Sequence, residues 1–190
     1  MLLLVGLGNP GSNSANNRHN IGFKIIDAIN IHFKLSKQKP KFKGLLTTGN
    51  IESKKIYAIK PLTFMNNSGT AIKELIDYFK IDAKDVFVFH DDMDIDFGKI
   101  KAKFGGSSAG HNGIDSIDKF IGKDYSRVRV GIGHPKQKKK VNNHVLEDFK
   151  EDEEEKIKEI TENIVKLIPT LIEKKMDLFS SKVNQNLNGI

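Results

Sequence analysis

Two short runs of unbroken apolar residues, Met1-Leu2-Leu3-Leu4-Val5 and Val86-Phe87-Val88-Phe89, constrain the fold of this chain more than any other feature. Each is too short for a buried helix, and each stops at residues that cannot extend a core, Gly6 in one case and His90 and Asp91 in the other. Such runs read as strands covered on both faces, as in the interior of a parallel sheet. Helix-period stretches lie between and around them. Ile21, Ile25, Ile29 and Phe33 recur every four residues, and Ala71, Ile72, Leu75, Ile76 and Phe79 form a second stripe opened by Asn67 or Ser68 as N-cap. Leu45 to Ile51 and Lys55 to Ile59 read as a strand pair turning near Glu52-Ser53-Lys54, and Pro61 ends it. Ile100 to Phe104 and Val128 to Ile132 supply further strands around a helix from Asn112 to Ile121. From Val145 onward the chain reads as helical, with Ile157, Ile160, Ile164, Ile168 and Leu171 on one side and Pro169 expected to kink or split it. This alternation predicts one α/β domain over residues 1–190, a sandwich with a mixed sheet, with residues 184–190 frayed.

With 190 residues the chain can bury one sizeable core. It contains no cysteine, which excludes disulfides, a thiol nucleophile and thiolate zinc sites. No apolar stretch approaches the roughly 18 residues needed to span a bilayer, and no basic segment precedes the first apolar run, so a cytoplasmic protein is expected. The formal charge is +7, yet Glu147 to Glu155 holds seven acidic residues and one lysine, so the remainder carries +13. That excess suits a polyanion such as RNA or DNA; lysine used for solubility accounts for it equally well. The acidic run itself reads as a solvated helix start, favoured by the helix dipole.

Four polar clusters interrupt the apolar pattern: Asn17-Arg18-His19-Asn20-Ile21-Gly22, Phe64-Met65-Asn66-Asn67-Ser68-Gly69, His90-Asp91-Asp92-Met93-Asp94 and Ala109-Gly110-His111-Asn112-Gly113. A histidine exchanges a proton near neutral pH, and an asparagine donates and accepts without charge. Together they suggest a hydrolytic site made of one base, one carboxylate and several amides. Gly6-Leu7-Gly8-Asn9-Pro10-Gly11 matches the dinucleotide fingerprint, but Pro10 removes an N–H and the following residues show no helical stripe. A tight turn that aims Asn9 into the site is the better reading. Asp91, Asp92 and Asp94 with His90 also admit a metal site, hence a metal-dependent phosphoesterase or nuclease; a carboxylate that orients a histidine is the simpler reading. His32 and His144 read as surface or packing residues and His134 as part of a turn. The basic loop Lys136, Lys138, Lys139 and Lys140 reads as a phosphate contact or a solvated loop.

Six segments in order, Gly6-Leu7-Gly8-Asn9-Pro10-Gly11, Arg18-His19-Asn20-Ile21-Gly22, Pro61-Leu62-Thr63-Phe64-Met65-Asn66-Asn67-Ser68-Gly69, His90-Asp91-Asp92-Met93-Asp94, Gly110-His111-Asn112-Gly113 and Arg129-Val130-Gly131-Ile132-Gly133-His134-Pro135, closely resemble the bacterial peptidyl-tRNA hydrolase family. The resemblance spans nearly the whole chain. It implies a monomeric α/β/α sandwich with a mixed, mostly parallel sheet, and hydrolysis of the ester between peptide and tRNA with no cofactor and no metal. By motif position it implies His19 as catalytic base, Asp91 as its partner and Asn112 as holder of the water or oxyanion. Asn9, Asn66, Asn112 and Met65 match substrate-site positions, and Lys103 and Arg129 a basic pair on the tRNA 5′ phosphate. Ser14 stands where the family commonly has tyrosine near the substrate's 3′ end, which puts aromatic stacking there in doubt. A module that binds RNA without catalysis is the non-enzymatic alternative.

Overall fold

In the computed structural model, which describes residues 1–135 and 141–189, the two apolar runs become adjacent parallel strands, β1 (Leu2–Gly6) and β5 (Val86–Asp92). They join β2 (Lys39–Lys41), β3 (Gly44–Ile51), β4 (Lys54–Pro61), β6 (Ile100–Phe104) and β7 (Ser126–Gly131) in one sheet of order β2-β3-β4-β1-β5-β7-β6. The central strands β4, β1, β5 and β7 are parallel, whereas β2 and β3 on one flank and β6 on the other run antiparallel to their neighbours. Parallel pairing is therefore confined to the four strands that are covered on both faces.

Side-chain alternation divides the core into two layers. Leu2, Leu4, Phe87, Phe89, Val128 and Val130 pack beneath α1 (Ile21–His32), α5 (Glu151–Lys166), α6 (Ile168–Ile172) and α7 (Met176–Asn188). Leu3, Val5, Val86 and Val88 pack on the opposite face beneath α2 (Ser68–Phe79) and α3 (Asn112–Ile121). The result is the α/β/α sandwich. Each fully buried Leu, Val or Phe contributes about 1.5–3 kcal/mol relative to exposure, so both layers are needed to hold the helices.

The C-terminal third departs from the sequence reading in two places and agrees with it at Pro169. The long helix begins at Glu151 rather than Val145, because the short α4 (Val141–His144) gives way to a strap, Val145 to Asp148, whose backbone pairs with the loop before α1: Arg18 N–H donates to the Glu147 carbonyl at 3.0 Å and His19 N–H to the Val145 carbonyl at 2.9 Å. Pro169 does split the helix, standing at the start of α6. The expected fraying from residue 184 is absent, since α7 continues to Asn188 with Val183 and Leu187 buried. Its polar face caps the open edge of β6: Ser180 Oγ accepts from Ala102 N–H at 2.8 Å, while the Asn184 amide accepts from Ile100 N–H and donates to the Ile100 carbonyl, both at 2.9 Å. Side chains thereby satisfy an edge that would otherwise template another strand. The short edge strand β2 carries no apolar alternation and escaped sequence reading.

Gly6 and Gly22 set the height at which α1 meets the sheet. A Cβ on Gly22 would lie 2.3 Å from Leu7 N and 2.5 Å from the Phe89 carbonyl oxygen, and one on Gly6 would lie 2.2 Å from the Gly22 carbonyl oxygen. These obstacles are backbone and cannot rotate away. Gly22→Ala is therefore expected to cost at least about 3 kcal/mol or to prevent folding. Urea denaturation followed by circular dichroism checks this, and a loss below about 1 kcal/mol would show that the contact yields.

Candidate active site

The loop between β1 and α1 leaves the sheet at Gly6, passes through short 3-10 turns at Ser12–Ser14 and Arg18–Asn20, and delivers His19 to the end of β5. Because α1 starts only at Ile21, no helix N-terminus stands inside the glycine run, and the dinucleotide reading of that run has no structural support. Gly8 serves packing instead, since a Cβ there would lie 2.8 Å from the Phe23 ring. The loop is held by its own amides: the Asn20 side chain accepts from Asn9 N–H and donates to the Asn9 carbonyl, each at 2.9 Å.

Asp91 lies at the centre. Its carboxylate is 1% exposed and receives His19 Nδ1 at 2.8 and 2.9 Å and His111 Nε2 at 3.0 Å. Burial alone would raise the Asp91 pKa, but the two imidazoles reverse that effect and hold it well below the usual carboxylate range. The carboxylate is therefore an acceptor only, which fixes a proton on His19 Nδ1 and leaves Nε2 as the ring's free nitrogen.

His111 holds its proton differently. Its Nδ1 accepts from the backbone N–H groups of Gly113 and Ile114 at 3.1 and 3.3 Å, forming the N-cap of α3. A backbone N–H can only donate, so Nδ1 bears the lone pair and Nε2 the proton. His111 is thus locked as a donor to Asp91, and His19 is the histidine of this pair with a nitrogen free for proton transfer.

The same logic tests the site for a metal. Among the described residues, His19, Asp91 and His111 are the one group whose potential ligand atoms converge, all within 4.8 Å of one another. Ligation through His111 Nε2 would require moving its proton to Nδ1 and breaking the cap of α3. The acidic trio of the metal reading is dispersed: Asp92 accepts from Arg129 Nε at 2.7 Å and Asp94 faces His134 Nε2 at 2.9 Å. The residues present do not fit a metal centre.

A cleft lined by His19, Asp91, His111, Asn112, Met93 and Val145 opens beside this network. Asn112, the first residue of α3, is exposed on its wall. Met65 is buried against the start of α3, close enough that a Cβ on Gly113 would lie 2.5 Å from its sulfur. Its N–H donates to Asn9 Oδ1 at 2.9 Å, so the Asn9 amide has its Nδ2 left for another partner. Asn66 is exposed in a separate shallow depression with Leu62, Thr63, Phe64 and Asn67, and Ser14 sits half-buried in its own turn, away from the cleft lining.

On β6 and β7, Lys103 lies opposite Arg127, and Lys101 opposite Arg129. Partial burial, then the nearby Arg129 and Arg127, lower the Lys103 pKa, while Asp92, which pairs with Arg129, acts against them. Arg127 is buried and donates to Asp118 at 2.8 Å and to the Ser107 carbonyl at 2.9 Å, so it holds the glycine-rich loop rather than facing a ligand.

The model of the peptidyl-tRNA hydrolase family matches residues 3–189. The chain belongs to this family. The peptidyl-tRNA hydrolase of Pelagibacter ubique is 73% identical over 184 residues, covering 97% of this chain and 99% of its relative, and that of Bartonella henselae is 45% identical over 189 residues, covering 100% and 98%. The crystal structure of the Acinetobacter baumannii peptidyl-tRNA hydrolase superimposes with a TM-score of 0.90 at 33% identity, over 97% of this chain and 94% of that one. No described helix is long and apolar enough to cross a membrane.

Several functional contacts of this peptidyl-tRNA hydrolase family member lie beyond sequence reading. His111 has the composition of a site histidine, but its double duty as helix cap and Asp91 donor needs three dimensions. Arg18, next to His19, is 3% exposed; it binds the Glu147 and Asp148 carbonyls and Glu153, and lies 5.3 Å from the Phe149 ring centroid. The acidic run is thus more than a solvated helix start. His134 faces Asp94 and His144 the Ile132 carbonyl, while Lys136, Lys138, Lys139 and Lys140 fall outside the described residues.

His90 gives a pH test. It is 3% exposed, its Nδ1–H donates to the Asp91 carbonyl at 2.7 Å, and its Nε2 is buried without a partner among the described residues. Burial pushes its pKa well below the usual histidine value, so the native ring stays neutral where the unfolded ring, near 6.5, takes a proton. Stability therefore falls as pH drops below about 6.5, by up to about 1.4 kcal/mol per pH unit. Asp91 acts in the opposite chemical sense at lower pH, its contribution being lost as pH falls below about 4. His90→Asn, which keeps a donor for the carbonyl, is expected to flatten the dependence between about pH 6.5 and 5. Urea denaturation across that range measures it, and an unchanged slope would remove His90 as its source.

Proposed function

We propose that this chain hydrolyses the ester joining peptide to tRNA in peptidyl-tRNA, releasing free tRNA for reuse in translation, by way of a water molecule activated at His19 and without a metal. The carrying observation is the one-sided engagement of His19: Nδ1 is committed to a buried carboxylate and Nε2 has no hydrogen-bond partner among the described residues. An ester is already activated for acyl transfer, so a base, an aimed carbonyl and donors for the oxyanion suffice.

In this reading His19 Nε2 takes one proton from water as its oxygen bonds to the ester carbonyl carbon. Asp91 stabilises the imidazolium, and that ring returns the proton to the departing ribose oxygen as the carbon–oxygen bond breaks. Asn112, on the cleft wall at the positive end of α3, holds the water or the oxyanion. Asn9 offers its Nδ2 donor to the peptide main chain, Asn66 both amide groups, and Met65 forms an apolar wall; none of these reads side-chain identity. Ser14 supplies a hydroxyl near the tRNA 3′ end and no stacking surface. Lys103 and Arg129 take the 5′ phosphate.

His19→Ala is expected to lower turnover of N-acetyl-aminoacyl-tRNA at least about 100-fold with tRNA binding intact, and wild-type turnover is expected to survive a chelator. Release of the acyl group and integrity of the RNA are measured together; chelator-sensitive release or cut RNA would sink the metal-free reading. Asp91→Asn places an NH2 group against one of two ring N–H donors and favours the His19 tautomer with Nε2 protonated. Single-turnover hydrolysis is expected to drop about 10³- to 10⁴-fold, and a loss below tenfold would separate Asp91 from proton transfer.

A further inference from the structure

The excess positive charge of the chain is not exhausted by Lys103 and Arg129. Lys34, Lys37, Lys39, Lys41 and Lys43 fall within ten residues, and no acidic residue occurs from Ala28 to Ile51. All five are exposed, on the edge strand β2 and the turns that flank it. Among the described residues only Lys43 meets a carboxylate, Glu74 at 3.5 Å. Lys41 is anchored: its Nζ stands 4.8, 4.5 and 5.8 Å from the ring centroids of Phe42, Tyr78 and Phe79. Tyr78 remains 63% exposed beside it. Lysine and Pro40 on an edge strand do discourage strand pairing, but one or two charges serve that purpose. Four cations without counter-charge among the described residues, interleaved with an open aromatic ring, are the surface that an RNA backbone with an unpaired base would match.

We propose that the β2 edge is a second RNA contact, taking phosphates on Lys37, Lys39 and Lys41. β2 and β6 are the opposite edges of the seven-stranded sheet, about 29 Å apart at the usual strand spacing. The phosphates bound here are therefore remote from one held at Lys103 and Arg129. They belong either to a distant part of the same tRNA or to another structured RNA, and the first source rests on the hydrolase reading above.

The test uses the full chain carrying Lys37→Gln, Lys39→Gln and Lys41→Gln, with a net-charge control carrying Lys158→Gln, Lys166→Gln and Lys182→Gln on exposed positions of the opposite helices. Affinity for deacylated tRNA and for an RNA duplex of unrelated sequence is measured against salt. Each lost phosphate contact lowers the slope of log affinity against log salt by about 0.9, so the β2 variant is expected to lose about two to three in slope and on the order of tenfold in affinity at low salt. A change with tRNA alone assigns the surface to the enzyme's own substrate, and a change with the duplex assigns it to RNA backbone in general. Equal slopes for variant and wild type, or an equal change in the control, would overturn the proposal. Turnover of N-acetyl-aminoacyl-tRNA at saturation is expected to be unchanged. If the wild type released no acyl group, the hydrolase reading would fail while the RNA slopes still decided this one.

Discussion

The backbone contact between Gly6 and Gly22 is the constraint on which the site depends. Strand β1 ends where α1 begins only because neither residue has a Cβ, and Leu7 N–H then reaches the Phe89 carbonyl at 3.0 Å, tying the loop to the neighbouring strand β5. Leu7 thus extends the β1–β5 ladder past the last paired residue. The loop from Asn9 to Asn20 is closed at both ends by this arrangement, and the Asn20 amide joins its two halves. His19 sits on a rigid scaffold rather than at the tip of a loop. Such placement is what holding a base within a fraction of an ångström of its carboxylate requires.

Around that scaffold, the electrostatics reduce to one buried negative charge and two histidines with different freedoms. A carboxylate as enclosed as Asp91 is tolerated only when its oxygens are hydrogen-bonded, and hydrogen bonds to a charged group contribute about 1.5–3 kcal/mol each. His19 and His111 both satisfy it, but only His111 is also bound at its second nitrogen. Cap and carboxylate together make His111 a fixed dipole. This division of labour leaves Asp91 a fully hydrogen-bonded carboxylate and leaves His19 one nitrogen without a hydrogen bond among the described residues.

The layers, their helices and the polar clusters that supply His19 and Asp91 were readable in the sequence because each rests on local pattern. Apolar runs of four or five residues, period-four isoleucines and histidine beside asparagine in glycine-marked loops all report on neighbours along the chain. What escaped is non-local. Residues Val145 to Asp148 read as helix because nothing in their composition discloses that their carbonyls accept from Arg18 and His19, more than 120 positions away. The fray expected at residue 184 ignored a partner, the bare edge of β6, that only the sheet order supplies. Strand β2, with lysine and proline in three residues, has no strand signal of its own and exists because β3 offers it an edge. His111 as a cap is a further case: its neighbours signal a helix start, yet histidine is not among the usual N-cap residues.

The distribution of charge follows from the same contacts. A run of net −6 beside His19, in a member of the peptidyl-tRNA hydrolase family, is at first sight unfavourable for a polyanion. Two of its members turn inward, however: Glu153 accepts from Arg18 and from the Lys150 N–H at the start of α5, and Glu154 meets Lys24 on α1. The acidic run therefore fastens the strap and the His19 loop to the helical layer, and its exposed remainder disfavours phosphate over that face. The two edges of the sheet both carry cations, Lys101 and Lys103 on β6 and the lysines around β2 on the other side.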